Sequence, residues 1–175
     1  MKHVLLITGS MGSGKTSMLG EASDILEQHM VVHGCLDLDW LAHVSGVHAA
    51  DLLDQNLDAV VANFAAAGIG RLLVAGAIET RHELERIKQA VHAERLVTCR
   101  LRAPIELMEA RVSARERGTH AQRYIDRVRV LEKLLDDAAL EDFEVDTGRS
   151  SITCAATEML QRAGWISVYP PQTTL

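Results

Sequence analysis

The stretch Gly9-Ser-Met-Gly-Ser-Gly-Lys-Thr16 fits the phosphate-loop pattern G-x-x-x-x-G-K-[ST] without a mismatch, and it constrains this chain more than any other feature. Gly9, Gly12 and Gly14 allow the backbone to approach phosphate more closely than a Cβ would permit. Successive N–H groups then form an anion nest, reinforced by the positive end of the following helix. Lys15 supplies a mobile cation for the β- and γ-phosphates, and the Thr16 hydroxyl is placed to ligate Mg²⁺. With Ser13 and Ser17 on the same turn, these residues form the expected ATP-binding set. The flanks agree with the motif. Val4–Ile7 is a continuous apolar run, as a buried parallel strand requires, and Met18, Ala22, Ile25 and Leu26 recur at helical spacing.

The same alternation continues along the chain. Met30–Leu36 reads as a second strand, delivering Asp37-Leu-Asp39-Trp40 at its carboxyl end. Leu53, Leu57, Val60, Val61 and Phe64 make one helical stripe, stopped by Gly68 and Gly70. Leu72–Ile78 reads as strand three, and Thr80-x-x-Glu83 as the capping box of the next helix. Leu96–Leu101 is strand four. Pro104 opens a helix that Arg117-Gly-Thr-His120 interrupts and that resumes through Ala138. Phe143–Val145 is a short fifth strand, and Gly164 ends a final helix. Five such repeats predict an α/β three-layer sandwich: a five-stranded parallel sheet, helices on both faces and a small helical lid at about 111–127. The strand order stays open at this level. The length of 175 residues suits one domain spanning 1–175.

A net charge of −6 argues against nucleic acid as the main partner, because such partners call for a basic face. No run approaches the ~18 apolar residues of a membrane span, and Met1-Lys2-His3 leads directly into a strand, so a cytoplasmic protein is expected. The three cysteines, Cys35, Cys99 and Cys154, lack C-x-x-C spacing and read as small buried hydrophobes. The eight histidines lack zinc-site spacing, so no zinc site is expected.

Chemistry is expected at two places besides the loop. Asp37 and Asp39 alternate by one residue, so in extended chain both carboxylates would face the same side. One could serve the metal while the other, with Asp39 favoured, accepts a proton from an attacking hydroxyl. The competing reading is a helix cap. Arg102, Arg111, Arg115, Arg117 and Arg123 crowd the interrupted helix, where planar guanidinium forks suit phosphate and base alike.

Together, the P-loop, the strand-end D-x-D, the Arg-rich helix–break–helix and Asp146-Thr147-Gly148-Arg149 resemble the P-loop small-molecule kinases. That group includes shikimate kinase, gluconate kinase, adenylylsulfate kinase and the nucleoside monophosphate kinases. The resemblance spans roughly Val4 to Ala163. It implies Mg²⁺ on Thr16 and Asp37, and the acceptor hydroxyl on Asp39. It further implies Arg111 against adenine, Arg115 or Arg117 on phosphate, and Thr147 in the adenine-side loop. Lys15, Asp39, Arg115 and Arg117 would then be the catalytic set. Strand three ends in Val74-Ala-Gly-Ala-Ile-Glu79, with neither the D-G-F-P-R-T of adenylate kinases nor the triple glycine of shikimate kinase. This argues against nucleoside monophosphates and shikimate as acceptors. It also leaves Asp37 to replace a Walker B aspartate. Trp40, His43, Glu79 and Arg81 are acceptor-pocket candidates by placement. The expected activity is ATP- and Mg²⁺-dependent transfer of the γ-phosphoryl group to a hydroxyl of a small molecule, an antibiotic-modifying kinase being one version. The alternatives are an ATP-binding switch without an acceptor and a polynucleotide 5′-kinase.

Overall fold

The computed structural model describes residues 1–44, 50–115 and 121–167. Strand β1 (His3–Gly9) lies at the centre of a five-stranded parallel sheet in the order β2-β3-β1-β4-β5. The other strands are β2 (Gly34–Asp37), β3 (Arg71–Ala75), β4 (Arg95–Arg102) and β5 (Phe143–Asp146). In register, Ile7 lies beside Ala75 on one flank and Cys99 on the other. Successive side chains of a strand face opposite sides, and both faces of β1 are covered. Leu5 and Ile7 pack with α1 (Lys15–Gln28) and α7 (Ile152–Arg162), whereas Val4 and Leu6 pack with α3 (Ala50–Ala66) and α4 (Arg81–Ala90). The fold class expected from the sequence is therefore the one observed.

Topology locates the crevice. From central β1 the chain leaves for the β2 edge, and from β3 it crosses β1 to reach β4. The loops after β1 and β3 thus depart in opposite directions, and ligand crevices open at such a switch point beyond the carboxyl ends of the strands. The phosphate loop and the segment from Gly76 to Glu79 face each other there. On the β4 side, α5 (Ile105–Arg115) and α6 (Ala121–Ala138) pack through Met108, Val112 and Val128, with Met11 of the phosphate loop against them.

Two strand boundaries differ from expectation. Strand β2 starts at Gly34 rather than Met30, because Met30 adopts a positive φ of 54° and closes α1, with the Val31 amide donating to the Leu26 carbonyl. Strand β3 ends at Ala75, since Gly76 donates to the Ile7 carbonyl and Ile78 then turns to the Thr8 hydroxyl. The Thr80–Glu83 capping box and the Gly164 terminus form as read. Cys99 is buried, but Cys35 is only partly so and Cys154 is exposed, which corrects the expectation for that residue. The break at 117–120 lies outside the described residues.

Candidate active site

The phosphate loop joins β1 to α1, whose N-cap Gly14 provides no side-chain acceptor for the helix amides. Those first-turn N–H groups have no intrahelical partners, which makes them anion donors. Gly12 has φ 78°, and a Cβ there would lie 2.4 Å from the Met108 carbonyl, so glycine lets α5 close onto the loop. Lys15 donates to the carbonyls of Gly9 at 3.0 Å and Ser10 at 3.2 Å. Burial pushes its ammonium below the ordinary lysine value; the charges of Asp39 and Asp37 oppose that, and Arg115 adds to it.

A cavity of about 400 Å³ opens over the loop and is lined by Gly12, Gly14, Lys15, Thr16, Ser17, Asp39, Arg111 and Arg115, among others. Most of the residues expected from the sequence are thus brought together. Gly9, Ser13 and Thr147 do not line that cavity. The buried Thr147 hydroxyl donates to the Ser13 carbonyl at 2.8 Å. Arg111 bridges the two loops, donating to the Gly12 carbonyl at 3.1 Å and to the Thr147 carbonyl at 2.8 Å. Thr147 therefore braces the phosphate loop rather than lining the cavity. Arg117 lies outside the described residues.

The expected extended D-x-D geometry does not form. Asp37 ends β2 and caps the short helix α2 (Leu38–Leu41), its Oδ1 accepting from the Asp39 amide at 3.0 Å. Its other oxygen, Oδ2, accepts from the Thr16 hydroxyl at 3.0 Å. The cap and the metal-site readings are thus compatible, one for each carboxylate oxygen. Asp39 sits in the first turn of α2 and lines three adjoining cavities. The hydroxyl and carboxylate oxygens of Thr16 and Asp37 are hard donors of the kind Mg²⁺ takes.

A second cavity, of about 450 Å³, lies between the loop after β3 and α6; Lys15 and Asp39 line it together with Glu79, Arg123 and Arg127. A third, of about 190 Å³, continues past Asp39 and Ala77 toward Asp54 and Arg86. Arg81, His43 and Trp40 line none of these three cavities, whereas Glu79 does. Arg102 belongs to another structure altogether, an ion-pair network with Glu132, Asp136 and Glu144, which corrects its place among the phosphate candidates. Sequence reasoning missed Arg127 and Glu79 as a pair, because 48 residues separate them and only the fold brings α6 over the end of β3.

The five-stranded parallel architecture is that of the P-loop small-molecule kinases, whose solved structures the chain resembles over 91 to 97% of its length. Shikimate kinase from Acinetobacter baumannii is 18% identical with a TM-score of 0.61, covering 97% of this chain and 96% of its own. APS kinase from Mycobacterium tuberculosis, solved with AMPPNP and APS, is 19% identical with a TM-score of 0.62, covering 91% and 96%. The tunicamycin resistance protein of Deinococcus radiodurans is 16% identical with a TM-score of 0.65, covering 97% and 100%. No protein-family model and no curated protein matches the sequence.

Proposed function

We propose that the chain is an ATP- and Mg²⁺-dependent phosphotransferase that moves the γ-phosphoryl group to a hydroxyl of a small molecule. The observation that carries this reading is the position of Asp39 and Lys15, which line both the cavity over the phosphate loop and the cavity beside it. A carboxylate between a triphosphate site and a second, organic-sized space is where a transferred proton has to go. An ATP switch has no use for that second space.

In this reading the amides of the phosphate loop and Lys15 hold the β- and γ-phosphates, and Arg115 offsets charge as the bond to the leaving group stretches. Arg111 ties the phosphate loop to the adenine-side loop. Thr16 and Asp37 would hold Mg²⁺, which when bound neutralises phosphate charge. Asp39 orients the acceptor hydroxyl and accepts its proton. Residues 1–175 act as one unit in the cytoplasm, and no helix among the described residues is long and apolar enough to cross a membrane.

The test is ADP release from Mg²⁺-ATP across a panel of hydroxyl compounds, for the native chain and Asp39→Asn. An acceptor should raise turnover well above the ATP-only rate, and the variant should lose about 10²-fold or more of that gain, the usual scale of a general base. Unchanged transfer in Asp39→Asn would remove the proposed role of this residue.

A further inference from the structure

Resting on the phosphotransferase reading, we infer that the acceptor is an uncharged or cationic hydroxyl compound with a largely apolar body, not a hydroxy acid or a phosphate ester. Two of the arginines that line the second and third cavities, Arg127 and Arg86, are already engaged. Arg127 donates to Glu79, and Arg86 donates through Nε and Nη2 to the single oxygen Oδ2 of Asp54 at 3.2 and 2.6 Å. Both pairs are half-buried, with side-chain exposures of 40 and 30% for the first and 31 and 41% for the second. Lys15 faces the phosphate loop, whose carbonyls it already meets.

With Lys15 given to phosphate, acids outnumber cations in what remains of the second cavity's described lining. Asp39 and Asp126 face the second cavity, and Arg123 is the one further guanidinium among the described residues that line it; all three are exposed. A carboxylate or phosphate on the acceptor would sit beside these two acids with the exposed Arg123 set against both of them, while the half-buried Arg127 and Arg86 are already held by glutamate and aspartate. The rest of the lining takes no charge at all: Met11, Ala77, Val130 and Leu131 supply an apolar surface, and Tyr124 adds a ring. Apolar walls with a few convergent polar groups suit a body held by burial and oriented by its hydroxyl. An ammonium on that body meets Asp126 favourably.

The reaction balances without a further reagent. The acceptor oxygen forms a bond to the γ-phosphorus as the bond from that phosphorus to the β,γ-bridging oxygen breaks. ADP leaves with the electron pair, and the hydroxyl proton passes to the Asp39 carboxylate and then to water.

The experiment measures phosphorylated product from Mg²⁺-ATP in three arms at matched concentration. Chloramphenicol is the neutral probe, tyrosinol the cationic probe, and gluconate, shikimate and AMP the anionic probes. In parallel, ATP binding is followed by calorimetry. A neutral or cationic probe should exceed every anionic one at least tenfold in kcat/KM. The Glu79→Gln variant, which releases Arg127, should narrow that ratio at least threefold. Preferred transfer to an anionic probe overturns the acceptor assignment and leaves the phosphotransferase reading standing. A ratio that Glu79→Gln leaves unmoved removes the ion pair as the cause of the preference and overturns the inference on that ground. Silence in all three arms, with ATP still bound, overturns the phosphotransferase reading and this inference with it.

Discussion

Arg111 shows how one side chain sets the shape of a binding loop. Its two terminal nitrogens reach carbonyls on segments far apart in sequence, Gly12 in the phosphate loop and Thr147 beyond β5. A planar fork spans two acceptors at fixed spacing; an ammonium is a point charge and does not. Arg111→Lys should therefore keep the fold while weakening ATP binding roughly tenfold, about 1.4 kcal/mol, as read by calorimetry. The Thr147 hydroxyl makes the second brace, on the Ser13 carbonyl. Thr147→Val leaves that buried acceptor unsatisfied and should cost about 1–3 kcal/mol in stability, with ATP affinity falling alongside. Thr147→Ser retains the hydroxyl and should recover most of both. If valine and serine behave alike, the brace has no energetic content. Asp37 teaches a similar lesson. Its one carboxylate caps α2 through Oδ1 and accepts from Thr16 through Oδ2, so the cap reading does not exclude a place beside Thr16.

At the scale of elements, α6 is bound to the sheet by charge as much as by apolar packing. Arg100 on β4 is 1% exposed and meets Glu132 and Asp136 at 3.0 Å each, with Glu141 at 3.6 Å; Arg102 shares Glu132 and Asp136. Glu132→Ala removes the most buried of the partners but leaves Arg100 with Asp136 and Glu141, so it should lose about 1–3 kcal/mol in denaturant melts. The double variant Arg100→Met, Glu132→Leu should recover much of that loss, since well-packed apolar replacements of buried pairs are often neutral. Acid should loosen the same joint. Burial pushes Asp136 up, but the hydrogen bond from Arg102 and the charges of Arg100 and Arg102 outweigh it and leave the carboxyl below its ordinary 3.8. A carboxylate depressed on folding contributes stability above its unfolded value and loses it as pH falls through the folded one. The native chain should accordingly exceed Asp136→Asn by about 1 kcal/mol or less at neutral pH, with the gap closing below pH 3.8. This joint was not legible in the sequence. Arg100 stands alone in an apolar run, and its partner Glu132 is 32 residues away on a helix. The phosphate loop, the Thr80–Glu83 box and the Gly164 terminus were legible because each is a local pattern with a local cause. The start of β2 was misread for the opposite reason, because Met30 takes a left-handed turn that glycine or asparagine ordinarily announces. The D-x-D geometry failed likewise, since α2 begins between its two acids.

For the molecule as a whole, the phosphate loop continues directly from the central strand, and one buried residue beside that strand can report whether occupancy of the loop reaches global stability. Cys99 is fully buried in β4 beside Ile7, which stands two positions before β1 ends at Gly9. Burial pushes its thiol up to about 12, with Arg162 pulling the other way, so in the folded chain it is neither reachable nor ionised. Cys154, exposed on α7, has no such protection. A thiol reagent at pH 8 should therefore modify Cys154 first and Cys99 only when the sheet opens. A ligand that binds the folded chain alone suppresses opening by the factor 1 + [L]/Kd. Mg²⁺-ATP at one hundred times its Kd should thus slow Cys99 labelling about 100-fold, some 2.7 kcal/mol, and leave Cys154 unaffected. Lys15→Ala, with the phosphate cation gone, should lose this protection at the same ATP concentration. Mass spectrometry of the labelled chain separates the two sites. Cys99 labelling that ignores ATP while calorimetry shows ATP bound would mean that the loop opens and closes independently of the sheet beneath it. Slowing at both cysteines would point instead to direct interference with the reagent. Slowing at Cys99 alone ties occupancy of the loop to the integrity of the whole fold.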